Sequence, residues 1–188
     1  MFIEKLKKPF VARLIAVVLV VVSTLVAVKV KLGQAVTDIE AGFFDGVIVD
    51  GIEHIPVSDP LRSICDVTDS ILRIASNYGI NTEEMSRQLD SIELSLAYSS
   101  LYGIGDDYKE LEDETDALLL RLESIGLSER HQAAMTTYLQ SLTASRNELD
   151  EAAAAYDKTV REFRRSYERF PTSWWADKFW ISYPESFT

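Results

Sequence analysis

Fifteen consecutive residues without a charge, Leu14 to Val28 (LIAVVLVVVSTLVAV), constrain this chain more than any other feature. A helix crossing the hydrocarbon needs about 20 apolar residues. Phe10, Val11 and Ala12 lengthen the run on one side and Val30 and Leu32 on the other. Arg13 and Lys29 have stems long enough to lift their charges to the headgroups. Residues 10–30 therefore read as a single transmembrane anchor. A cleaved signal peptide competes with this reading, because its apolar stretch is about 7–15 residues long. Gly33 and Ala35 supply the small pair that cleavage needs, although Lys29 and Lys31 stand between them and the apolar run.

Charge orients the anchor. Residues 1–31 hold Lys5, Lys7, Lys8, Arg13, Lys29 and Lys31 against Glu4, a net of about +5. The whole chain carries −11, which leaves about −16 for residues 32–188. Basic residues ahead of the span predict a cytoplasmic segment 1–9 and an extracytoplasmic remainder. A domain this acidic repels phosphate backbones, so nucleic acid is excluded as a partner. Its charge fits either a solvated helical surface or a module that binds cations or a basic ligand.

Residues 31–170 read as an all-α, elongated antiparallel bundle of four to five helices, with apolar residues at steps of three and four. Val36, Ile39, Phe43 and Val47 carry the first helix out to about Gly46. Residues 47–59 read as a loop with a short extended piece. Ser58 or Asp59 caps the next helix, whose first turn holds Pro60 and whose stripe is Leu61, Ile64, Cys65, Ile71, Leu72, Ala75 and Tyr78. Asn81 and Glu84 form a capping-box pattern ahead of Met85, Leu89, Ile92 and Leu96. Asp106 or Asp107 opens a helix with Tyr108, Leu111, Thr115, Leu118, Leu122 and Ile125 inward.

Ser128 caps the longest helix, with a seam at Met135, Tyr138, Leu142, Ser145, Leu149, Ala152, Tyr156, Val160, Phe163, Tyr167 and Phe170, ended by Pro171. Such persistence fits coiled-coil-like packing. Short connections at 79–81, 103–106 and 126–128 make successive helices antiparallel. Strict alternation from an outward first helix sends the fifth outward too, with the chain beyond it at the far end.

Residues 171–188 form an aromatic tail. Phe170, Trp174, Trp175, Phe179, Trp180, Tyr183 and Phe187 crowd into the last nineteen positions, and all three tryptophans of the protein are among them. Three readings fit. The tail is a clasp folded back on the bundle, a partner patch in which Trp174, Trp175 and Trp180 make the contact, or an interfacial belt. A distal tail speaks against the belt.

No chemistry stands out. Neither His54 nor His131 has a partner at i+3 or i+4 that would make a metal face, and no HExxH, GxSxG, CxxC or phosphate loop occurs. The acidic run Asp106–Asp116 lacks the alternate ligands and central glycine of a calcium loop. Cys65, the one cysteine, falls on an apolar stripe and reads as core. The expectation is a protein without catalytic residues, cofactor or metal.

One segment carries a resemblance. Ala155-Tyr156-Asp157-Lys158-Thr159-Val160-Arg161-Glu162-Phe163, continuing to Phe170-Pro171-Thr172-Ser173, resembles the C-terminal hallmark of the LemA family. Tyr156, Val160, Phe163, Phe170 and Pro171 match that pattern at the right spacing. Asp157, Arg164 and Ser173 stand where the family has asparagines. The family's Arg-rich stretch and Pro-Asn-Leu segment are not recognisable around Leu61–Leu72. The resemblance covers about thirty residues and implies a bacterial, membrane-attached helical bundle with no established enzymatic activity.

Overall fold

The computed structural model describes residues 9–169, 178–179 and 181–188, with side chains from Arg13 onward. The expected Pro171 helix stop and the aromatic residues Phe170, Trp174, Trp175 and Trp180 lie outside the described residues. Five helices and one hairpin are present among those described: α1 (Pro9–Asp45), β1 (Val47–Val49), β2 (Ile52–His54), α2 (Ser58–Asn77), α3 (Glu83–Ala97), α4 (Ile104–Ile125) and α5 (Glu129–Tyr167). The all-α bundle expected from the periodicity is the observed architecture.

The chain divides into two compact units. One gathers the described residues up to Asp38 together with those between Arg164 and Tyr183. In it, α1 runs without interruption through the apolar stretch, and it is the one described helix long and apolar enough to cross a membrane. None of its most apolar window is buried against protein, and Leu14, Val17, Leu19 and Val20 are each more than half exposed. The two hydroxyls of its apolar stretch are satisfied within the helix: Ser23 and Thr24 both donate to the Val20 carbonyl, at 2.9 and 2.8 Å. That internal pairing is what a helix in hydrocarbon requires of its polar atoms.

The second unit, Ile39–Phe163 with Pro184–Thr188, holds the bundle. Residues 47–54 form a β-hairpin rather than a loop, with Val47 opposite His54 and Val49 opposite Ile52. Its two-residue turn is Asp50-Gly51, both at positive φ (53° and 80°). This is the mirror-image turn that matches strand twist, and Asp-Gly is its usual sequence. Gly46, at φ 87°, makes the exit from α1 possible, since a Cβ there would lie 2.5 Å from the His54 carbonyl oxygen.

Side-chain pairs set the helix order. α2 runs antiparallel to α5, with Ser63 hydroxyl-bonded to Ser145 at 2.8 Å and Tyr78 to His131 at 3.0 Å. Arg146 of α5 bridges Glu112 and Asp116 of α4 at 3.2 and 2.9 Å. Ser91 of α3 donates to Asp107 of α4. The connections reverse the chain as expected, with Gly79, Gly103 and Gly126 all left-handed. The expected seams are buried with few exceptions: Leu61, Ile64, Cys65, Ile71, Leu72 and Ala75 in α2, and all four of Met85, Leu89, Ile92 and Leu96 in α3. Ile125, expected inward, is 46% exposed, because α4 ends there and Gly126 turns the chain away.

The caps differ in detail. Ser58 is buried inside the first turn of α2 and makes no cap; Val57 precedes it without a side-chain bond. Asn81 accepts from the Glu83 backbone N–H at 3.0 Å, but Glu84 reaches forward to Arg87 instead of back. Ser128 caps α5 through the His131 N–H.

Candidate functional site

Trp174, Trp175 and Trp180, the residues expected to contact a partner, lie outside the described residues. What the structure does define is where the chain beyond them goes. Pro184–Thr188 has no regular structure and packs into the second unit, with Phe187 only 8% exposed. Folding back is thus realised at Phe187.

Its socket is built by three elements. Phe43, fully buried at the end of α1, lies 5.8 Å from the Phe187 ring centroid and packs edge-on against Tyr156 of α5 at 5.5 Å. Tyr108 of α4 flanks Phe187 at 5.6 Å. Such offset and edge arrangements suit the ring quadrupoles. Burial, followed by the Glu112 charge, pushes the Tyr108 phenol well above its usual range.

The polar half of the socket is Asp157, 1% exposed. Its Oδ1 accepts the Phe187 backbone N–H at 2.7 Å, and its Oδ2 accepts the Thr188 N–H at 3.1 Å and the Thr188 hydroxyl. A buried carboxylate requires such partners, and donors from the docked segment supply them. Tyr156 Oη donates to the Glu185 carbonyl at 3.2 Å, and the Gly103 N–H donates to Glu185 Oε2 at 3.3 Å. Gly105 completes the fit. A Cβ there would lie 2.3 Å from the Phe187 carbonyl oxygen, so only glycine lets the segment press against α4.

Sequence reasoning placed Tyr156 in the core but missed Asp157 as a buried acceptor. Ala152, Ala153 and Ala155 are buried beside it, so this stretch of α5 is enclosed on more than its seam, which the three-and-four spacing alone did not show.

A groove of about 310 Å³ opens between Leu119, Leu122, Met135 and Leu139, with Glu123 and Gln132 at its edges. Among the described residues no three His, Cys, Asp or Glu side chains are placed to hold a metal ion. Cys65 is buried, and burial with nearby Glu93 and Asp66 pushes its thiol up to about 12, which leaves no thiolate at neutral pH. His131 is tied up with Tyr78, whose oxygen also accepts the Ser128 N–H at 2.9 Å.

Between α2 and α3, Glu93 has its pKa raised, first by burial and then by Asp90, Asp66 and Asp69. A carboxyl raised by folding favours the folded state below its unfolded value, and that contribution is lost as pH rises through its folded value. Glu93→Gln should therefore melt above the parent at pH 7, with the gap closing as pH falls through the carboxylate range. Parallel curves of melting temperature against pH would remove this assignment.

No protein-family model matches this chain, and neither a curated protein nor a solved structure does.

Proposed function

We propose that this protein is a non-enzymatic, membrane-anchored bundle of the bacterial cell envelope, LemA-like in layout, that serves as a structural or protein-interaction module. The observation that carries this reading is the apolar stretch of α1, none of whose most apolar window is buried against protein. A contiguous apolar surface of this extent marks a membrane or protein contact. The basic residues ahead of it favour a cytoplasmic segment 1–9 and an extracytoplasmic bundle. The family resemblance draws support from Tyr156, Val160 and Phe163, three of its five matching positions, which are all buried and so belong to a packing motif. Trp174, Trp175 and Trp180 are the proposed partner contact.

A reporter active only outside the cytoplasm, fused after Thr188, should be active, and the protein should stay with membranes through an alkaline wash. Activity of a cytoplasmic reporter at the same position would overturn the orientation. Release by the wash would overturn the anchor.

A further inference from the structure

We propose that the groove between α4 and the first half of α5 is a docking surface for a helix of another protein, one whose apolar stripe is flanked by lysine or arginine. This surface is independent of the contact proposed at Trp174, Trp175 and Trp180.

Charge is spread unevenly along α5. Residues 131–145 hold no Asp, Glu, Lys or Arg, whereas residues 146–169 hold twelve. Burial does not account for the gap, since Ala133, Thr136, Thr137, Gln140, Thr143 and Ala144 are all exposed. A merely solvated face in a chain this rich in charge would carry some of it, as the second half of the same helix does. Contact surfaces are depleted of charge at their centre, because charged groups cost most to strip of water.

The hydroxyls of this face are also prepared for dehydration. Thr136, Thr137 and Thr143 donate to the backbone carbonyls of Gln132, Ala133 and Leu139, at 3.0, 3.4 and 2.8 Å. Each has a partner that a docked neighbour need not supply. Ser23 and Thr24 in the apolar stretch of α1 are satisfied in the same way.

Shape specifies a helix as the occupant. The groove of about 310 Å³ continues past Thr136 and Leu139 into a more open trough of about 540 Å³ that reaches Thr143, Ala144 and Asn147. Over residues 131–145 α5 rises about 21 Å, or about four helical turns. The small side chains along this floor let a neighbouring helix axis come close, and an amphipathic helix laid in a groove is a recurrent mode of recognition.

Charge specifies the flank of that helix. The opposite wall, α4, holds eight acidic residues against Lys109 and Arg121. Glu112 and Asp116 are taken up by Arg146. Glu123 lines the groove and has no ion-pair partner among the described residues. A helix neutral toward α5 and basic toward α4 is the complement of these two walls.

The test adds synthetic, helix-stapled fluorescent peptides of about 15 residues, the length of the groove, to the full chain in a nonionic detergent, with empty micelles as the reference. One peptide has a stripe of leucine and alanine flanked by lysine, and a second has glutamate in place of each lysine. The lysine peptide should bind, and the glutamate peptide should bind more weakly by about tenfold or more. Thr136→Gln combined with Ala144→Gln lays longer side chains across the floor without adding charge, and should weaken the lysine peptide about tenfold. Ala154→Gln, the same exchange at an exposed position in the charged half, should leave binding unchanged. Glu123→Gln should narrow the preference for lysine over glutamate. The proposal is overturned if the lysine peptide does not bind, if the double variant binds it as the parent does, or if both peptides bind alike. Should the double variant melt below the parent, Glu123→Gln decides, because it removes a charge at nearly constant volume, and an unchanged preference overturns the proposal. A parent dimer that the double variant dissociates would put a second copy in the groove and overturn the basic helix as its occupant.

Discussion

Leu149→Ala is expected to destabilise the bundle by about 2–5 kcal/mol, the range for truncating a buried leucine whose surroundings relax only in part. Leu149 is 1% exposed and sits midway along α5, between the Ser63–Ser145 contact and the aromatic socket. Its neighbour Glu148 is exposed, so Glu148→Ala should change stability by no more than about 0.5 kcal/mol. Denaturant unfolding of the detergent-solubilised full chain measures both. A seam residue and its solvent-facing neighbour differ by one helical step, about 100° of rotation, so the pair tests register directly. Equal losses at the two positions would mean that the seam is misplaced.

Asp157→Ala is the second large effect. It strips the acceptor from two backbone N–H groups and a hydroxyl at once. Each buried donor left without a partner costs about 1–3 kcal/mol, so three of them would exceed the whole affinity of a five-residue segment. The segment therefore leaves the socket and rehydrates its donors. The loss is then capped by what docking contributes, chiefly burial of one phenylalanine ring, about 1.5–3 kcal/mol. The expected result is a destabilisation of about 2–3 kcal/mol together with loss of hydrogen-exchange protection at the Phe187 amide. Asp157→Asn should fall between parent and Asp157→Ala. Its carbonyl can still take the Phe187 N–H, but its amide group turns donors toward the Thr188 N–H. An unprotected Phe187 amide in the parent chain would show that the segment is not held in solution.

All three groups that Asp157 meets can donate, so its two oxygens are matched by their partners.

Much of this architecture is written in local pattern. Glycines at 79, 103 and 126 punctuate the helices because left-handed backbone is easiest without a Cβ, and all three adopt it. The seams of α2 and α3 were legible because a helix shows one face to its neighbours, whatever those neighbours are. The apolar run of α1 is equally local, since spanning length is counted along the chain. The hairpin could also have been found, as Asp50-Gly51 flanked by Val47–Val49 and Ile52–His54 carries the strongest short-range hairpin signal.

What the tertiary structure alone decided is which faces meet. Phe43, Tyr108, Tyr156 and Phe187 come from three helices and an irregular segment, and no periodicity links positions so far apart in the chain. Asp157 is the sharpest case. By composition it is one more acidic residue in an acidic chain, and only the arrival of the Phe187 and Thr188 donors turns it from a solvated charge into the buried anchor of the socket. Burial pattern is a property of a segment, whereas the pairing of a buried charge is a property of the fold.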